Sequence, residues 1–251
     1  MTLVRDGVTI LKNVSWRIDR GDAWLLFGPN GCGKTSLLNV ICGYEWVTSG
    51  RVELFGETFG DGARIPDLRR RIGWVSSALS HRLNGAQSGL EVVINGPRAA
   101  LRSWEEFSPA EKEDARAAMA YMGIEYLHDR AYGVSSQGER QRLMVARALV
   151  TRPELLILDE ACAGLDPAAR EDFLNDIEQV MTAPGAPTVI FVTHHLEEVR
   201  GWLKRALLLK KGEVVFQGER REALTDEYME KLFERRARVV GTEGRYRLEG
   251  F

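Results

Sequence analysis

Apolar residues in this chain follow two kinds of pattern. Continuous runs, "AWLLF" from Ala23, "LLIL" from Leu155 and "TVIFV" from Thr188, show no polar alternation and predict strands covered on both faces, as in a parallel sheet. Between them, apolar positions recur at helical spacing. In "DPAAREDFLNDIEQVM", Phe173, Leu174, Ile177, Val180 and Met181 line one face behind an N-cap at Asp166. In "SPAEKEDARAAMAYMG", Ser108 is the expected cap and Pro109 the first helical residue, while Glu111 closes a capping box and Gly123 ends the helix. "KTSLLNVICG" predicts a helix stopped by Gly43.

Shorter signals fill the remainder. "VTILKNVSWRI" and "RIGWVSS" predict strands, with Trp16 and Trp24 as strand residues of the core. "GRVELFG" predicts a short strand of an antiparallel edge layer, "LEEVRGWL" a short helix, and "RALLLKKGEVVFQG" a hairpin turning at Lys-Gly-Glu. The tail from Ala237 reads as one more strand pair. From about His81 to Gly133 the texture is helical, the best candidate for a second lobe. Apolar strands alternating with helices on either side of it place the chain in the α/β class.

Composition narrows the partners more than the fold. At 251 residues and 44% hydrophobic content the chain can bury a sizeable core, as one large domain or two closely associated lobes. Its 34 Lys and Arg nearly balance 36 Asp and Glu, so no basic field recommends nucleic acid as a partner. Cys32, Cys42 and Cys162 are odd in number, widely spaced and set among small or apolar neighbours, which suits reduced thiols in a cytoplasmic protein. Nothing near the N-terminus resembles a signal peptide, and no apolar run reaches the roughly 18 residues of a membrane span. Work at a membrane would need another chain to cross it.

Candidate chemistry begins where "AWLLF" ends. "GPNGCGKT", with Gly28 and Gly33 at fixed spacing before Lys34 and Thr35, fits the phosphate-loop pattern between a buried strand and a helix. Glycines let successive backbone N–H groups converge on phosphate oxygens, and the helix adds its positive end. Lys34 would reach the β- and γ-phosphates while Thr35 holds Mg²⁺. "LLILDE" would set Asp159 at the carboxyl end of a buried strand to grip that metal, with Glu160 beside it to orient and deprotonate the attacking water. Alone, this stretch would read as a strand entering a solvated acidic loop. A third segment, "SSQGERQR", again puts small residues at the start of a helix, "ERQRLMVARALV", and reads as a second anion-binding loop.

Taken together and in this order, the three segments resemble the ATP-binding cassette (ABC) ATPases, over about residues 3 to 220. The resemblance implies an α/β fold with a P-loop NTPase (RecA-like) core, a mostly parallel sheet, an antiparallel β edge layer and an inserted helical subdomain. On that plan residues 1–80 form the first part of the ATP-binding core, 81–151 the helical subdomain ending in the signature helix, 152–220 the second part of the core, and 221–251 a C-terminal helix and tail. It implies ATP and Mg²⁺ as nucleotide and metal, with Gly28, Pro29, Asn30, Gly31, Cys32, Gly33, Lys34, Thr35 and Ser36 at the phosphates and Thr35 and Asp159 at the metal. Glu160 becomes the catalytic base and His194 of "THH" the γ-phosphate contact, with Lys34 carrying phosphate charge. Ser136, Gln137, Gly138 and Glu139 occupy the signature positions that serve the nucleotide of an opposite subunit, and "AGLD" puts Asp166 in the D-loop.

Two departures bear on function. Family members usually end the strand before the helical lobe in a glutamine that meets the metal and links to the membrane partner. Here "IGWVSS" puts Ser76 and Ser77 there, as in cassettes associated with molybdate uptake and photorepair. A serine hydroxyl would reach the metal only through an added water. Spacing back from Gly28 puts Arg5 where an aromatic residue usually stacks on the adenine, and an arginine plane can stack on a base. Only four residues precede Arg5, so the first strand reads as short and the start as trimmed. His195 stands where an aspartate is more usual, and Ala161 and Cys162 replace a commoner Pro-Thr.

The reading is an ATP hydrolase dimerising head to tail on ATP binding. It serves either as the energising subunit docked on a separate transmembrane permease at the inner face of the membrane, or as a soluble ATPase acting on nucleic acid or protein. The single cassette favours the first. An unrelated P-loop kinase is a distant third, since nothing in a kinase calls for "SSQGERQR".

Overall fold

The computed structural model describes residues 1–104, 106–242 and 245–250. In chain order it runs β1 (Leu3–Arg5), β2 (Val8–Leu11), β3 (Ala23–Phe27), α1 (Lys34–Ile41), β4 (Glu53–Leu54), β5 (Glu57–Thr58), α2 (Ile65–Arg70) and β6 (Ile72–Ser76). Next come the helices α3 (Ser77–Arg82), α4 (Gly89–Ile94), α5 (Pro109–Tyr121) and α6 (Gln137–Leu149). β7 (Leu155–Asp159), α7 (Pro167–Thr182), β8 (Thr188–Thr193), β9 (Arg205–Lys210) and β10 (Glu213–Glu219) follow, then α8 (Arg220–Ala223), α9 (Asp226–Phe233), β11 (Arg238–Thr242) and β12 (Arg245–Glu249). The chain forms two compact units, one of Met1–Arg69 with the segment from Thr188 onward, the other of Arg70–Pro187.

In the first unit the strands lie in the order β10-β9-β3-β8, with β3 parallel to both β8 and β9. β3 and β8 are buried at every position, which is why neither alternates in sequence. β9 and β10 form the expected hairpin, and its two-residue turn, Lys211 and Gly212, has φ of 47° and 78°, the left-handed pair that suits strand twist. α1 stops where Gly43 was expected to stop it: at φ 68° that residue follows the Cys42 cap, and a Cβ there would meet Ile65 at 2.6 Å. The tail is the anticipated strand pair, β11 with β12, and β12 packs on a 3-10 turn at Leu196–Glu198.

The second unit pairs β6 and β7 in parallel and carries α3 to α7. α5 has the expected capping box of Ser108 and Glu111 behind Pro109, and Asp166 caps α7 by accepting from Ala168 and Ala169 at 2.9 Å each. Phe173, Leu174, Ile177 and Val180 are buried along α7, while Met181 is half-buried. Arg147, buried on α6, spans to the carbonyls of Val92 (2.6 Å) and Ala100 (2.7 Å), tying α6 to α4 and the loop after it. Burial lowers its pKa to about 10, still well above neutrality.

Three expectations need correcting. "VTILKNVSWRI" stays a strand only to Leu11, because Asn13 turns left-handed at φ 49° and cannot continue a ladder. Trp16 therefore lies outside any strand; half-buried, it packs its ring edge-on against Trp24 at 5.4 Å. "LEEVRGWL" makes a single 3-10 turn, Leu196–Glu198, instead of a helix: Val199 at φ −73° and ψ 130° is already extended, and Leu196, Val199 and Trp202 are buried without a continuing helix. α4 and its Ser88–Glu91 capping box went unread, although S-x-x-E before an apolar run was visible in the sequence.

Candidate functional site

The glycine loop leaves β3 at Phe27 and enters α1 at Lys34. Its shape is imposed from outside: a Cβ at Gly28 would stand 2.1 Å from the Leu209 carbonyl oxygen of β9, so only glycine fits. The Gly212 amide donates to the Cys32 carbonyl at 2.9 Å, pinning the loop to the β9–β10 turn. Gly33 at φ 108° is the N-cap of α1 and offers no side chain to it, and the first turn holds no acidic residue. The amides at the start of α1 thus lack the side-chain acceptor a helix usually provides, and a phosphate fits that deficit. Lys34 is buried, with Nζ donating to the carbonyls of Gly28 (2.7 Å) and Pro29 (3.2 Å), while Thr35 stays exposed. Burial raises the pKa of the Cys32 thiol despite nearby Lys34, so it stays neutral beside the loop. All three cysteines are buried and none is disulfide-bonded.

β8 lies beside β3 in parallel, with Phe27 and Thr193 as register partners. The glycine loop and His194 therefore leave adjacent strands at the same carboxyl edge, where ligands of open α/β sheets bind. His194 is half-exposed and its ring lies 4.0 Å from that of exposed His195. Below them Thr193, buried, accepts from the His195 amide at 2.9 Å and donates to the buried carboxylate of Glu198. Sequence reasoning passed over both residues, since nothing local marks a glutamate in "LEEV" as buried. Arg5, on β1, is half-exposed by its side chain and ion-paired with Glu45.

In the second unit Asp159 ends β7 and is the register partner of Ser76, which ends β6. The Ser76 hydroxyl caps α3 by accepting from the Leu79 amide at 3.3 Å. Glu160, directly after Asp159, is held at φ 50°, a left-handed backbone that a non-glycine residue adopts at an energetic cost. Ser136, exposed, caps α6: it accepts from the Glu139 amide at 3.2 Å, and the Glu139 carboxylate accepts from the Ser136 amide at 2.7 Å. The Tyr126 hydroxyl adds a bond to Glu139 at 3.1 Å and Arg130 an ion pair. Burial pushes the Glu139 pKa up, but the Ser136 and Tyr126 bonds and Arg130 outweigh it, and the net shift is downward. Gln137 and Gly138 are half-exposed, and Gly164 of "AGLD" lies beside the Gln137 side chain.

A glycine loop of this build between a parallel strand and a helix defines a phosphate-loop nucleotide-binding protein of the α/β class. The chain belongs to the ABC transporter family, whose profile, described as "ABC transporter", matches residues 11–163. It is 42% identical over 246 residues to an uncharacterized ABC transporter ATP-binding protein of Bacillus subtilis, YlmA, covering 98% of this chain and 93% of that one. Among solved structures it resembles cbiO1 of Clostridium perfringens, part of the transporter complex cbiONQ, at TM-score 0.76 and 27% identity over 90% of this chain and 88% of that one. The dimeric bacterial cassette MJ0796 matches at TM-score 0.71 and 26% identity over 84% and 90%. The chain is accordingly an ATP-binding subunit of this family, an ATPase using ATP with Mg²⁺ on the P-loop NTPase cassette fold. Among the described residues no helix is long and apolar enough to cross a membrane.

Proposed function

We propose that this protein hydrolyses ATP as a head-to-tail homodimer and drives a separate transmembrane permease from the cytoplasmic face of the membrane. The observation that carries this reading is the uncapped start of α1 with Lys34 parked on carbonyls of its own loop, a set of donors that a nucleotide's phosphates would complete. Gly28, Pro29, Asn30, Gly31, Cys32, Gly33, Lys34, Thr35 and Ser36 wrap those phosphates, and Arg5 faces the base once it exchanges Glu45 for it. Thr35 and Asp159 are oxygen donors of the type Mg²⁺ takes, and the bound metal supplies neutralisation of phosphate charge. Glu160 takes the proton of the attacking water and His194 steadies the γ-phosphate. Ser136, Gln137, Gly138 and Glu139 complete the pocket of the opposite copy, with Asp166 at the seam between copies. Catalysis on this scheme is positioning and charge stabilisation, with no covalent intermediate.

The dimeric state of a related cassette supports the homodimer, and the family's transporter membership supports the permease. The test is purification of the tagged chain from membranes. A polytopic protein should come with it, and Glu160→Gln should trap a dimer on gel filtration only when ATP is present. One observation favours a second reading, a soluble ATPase acting on nucleic acid or protein. Ser76 stands where the family's permease-linked glutamine is usual, and its hydroxyl already caps α3. Purely soluble behaviour with DNA-stimulated hydrolysis would decide for it.

A further inference from the structure

We infer that Glu198, acting through Thr193, is a positioning residue for His194, and this rests on the reading of His194 as the γ-phosphate contact. His194 occupies the first position after β8, with one more residue before the 3-10 turn Leu196–Glu198. That short bridge is closed underneath by side chains. Thr193, 1% exposed, accepts from the His195 amide at 2.9 Å and donates to the Glu198 carboxylate at 2.5 Å. The Glu198 amide in turn donates to the His195 carbonyl at 3.3 Å. The two residues therefore bracket His195 from both its amide and its carbonyl, and His194 is carried between Thr193 and that bracket.

A carboxylate only 4% exposed is expensive to bury, and such a group is retained where its hydrogen bonds fix something. Here the fixed object is the direction in which the chain leaves β8. The turn is braced on its other faces as well. Leu196 and Val199 are buried, the Arg200 guanidinium donates to the Glu197 carbonyl at 2.7 Å, and β12 packs along the turn. His194 itself remains half-exposed above this base, so the side chain can meet a ligand while its backbone cannot drift. An error of about 1 Å in such a contact can lower a rate on the order of a hundredfold.

The experiment is a double-mutant cycle on the purified full chain, reading kcat and KM for ATP separately. His194→Ala establishes the reference loss in kcat. Glu198→Ala and Thr193→Val, the latter keeping shape while removing the hydroxyl, should each lower kcat roughly tenfold or more with KM little changed. Glu198→Gln, which retains an acceptor for the Thr193 hydroxyl, should recover most of the rate. Glu198→Ala placed in the His194→Ala background should add no further loss. If His194→Ala keeps full kcat, the role of His194 fails and this inference fails with it. If His194→Ala loses activity while Thr193→Val retains it, or the double mutant shows additive losses, His194 keeps its role and the positioning inference alone is overturned.

Discussion

Two helices of this protein begin in small residues and differ in what already occupies their donors. α1 starts at Gly33 with no capping side chain and no acidic residue in its first turn, whereas α6 starts at Ser136 with a complete capping box and the carboxylate of Glu139. A helix start leaves about four amides without intrahelical partners. At α1 that deficit is left standing and Lys34 is held beside it, so an anion gains both donors and charge. At α6 the deficit is partly met from within, and a negative group sits at the spot where an anion would come. The Ser136 hydroxyl accepts from the Glu139 amide and is also bonded to the Glu139 carboxylate, so it is tied into its own helix start. The contrast teaches that the two starts differ in what they leave open: under the proposed function the first loop would hold phosphate by itself, while the second would add to a nucleotide bound mainly by the other copy.

Lys34→Ala gives the strongest test of that asymmetry. Turnover should fall by roughly two to three orders of magnitude, the scale of losing one preorganised charge-stabilising donor. Nucleotide affinity should fall with it, as measured by fluorescent-nucleotide titration. An unchanged affinity would show that the α1 loop does not dominate binding.

Ser136→Ala should have a smaller and different effect. Loss of the cap costs about 1 kcal/mol, a drop in Tm of about 2–4 °C. ATP binding to the monomer should be untouched while steady-state turnover falls. Weakened monomer binding would erase the distinction between the loops.

The mildest effect concerns Glu139. Its pKa is lowered from 4.5 in the folded protein, so the stability it contributes is present above that value and disappears as pH falls through the lower folded value. The Tm gap between wild type and Glu139→Ala should be widest at neutral pH and narrow below pH 4.5. A gap independent of pH would mean that the carboxylate does not act through its charge.

Much of this architecture is written in local signals. Unbroken apolar runs marked β3, β7 and β8, and caps at Ser108 and Asp166 marked α5 and α7, because burial on both faces and capping depend on neighbouring residues. The glycine loop and the "SSQGERQR" helix start were equally visible as spacing. Long-range causes were not. The need for glycine at position 28 comes from a carbonyl of β9, and the burial of Glu198 comes from its bond to Thr193 and the covering strand β12. The Arg5–Glu45 pair likewise joins residues distant in sequence. Asn13 shows the converse error, where one left-handed residue ended a strand that composition alone would have prolonged.

Glu160 sits in a backbone conformation that asparagine or glycine would occupy with less strain. Laboratory evolution scored only on heat resistance would therefore be drawn toward replacing this very side chain, yielding sturdier molecules without the carboxylate proposed above as the base. If Glu160 is that base, thermal endurance and hydrolysis pull against each other at this single position, and a screen on this protein has to measure both.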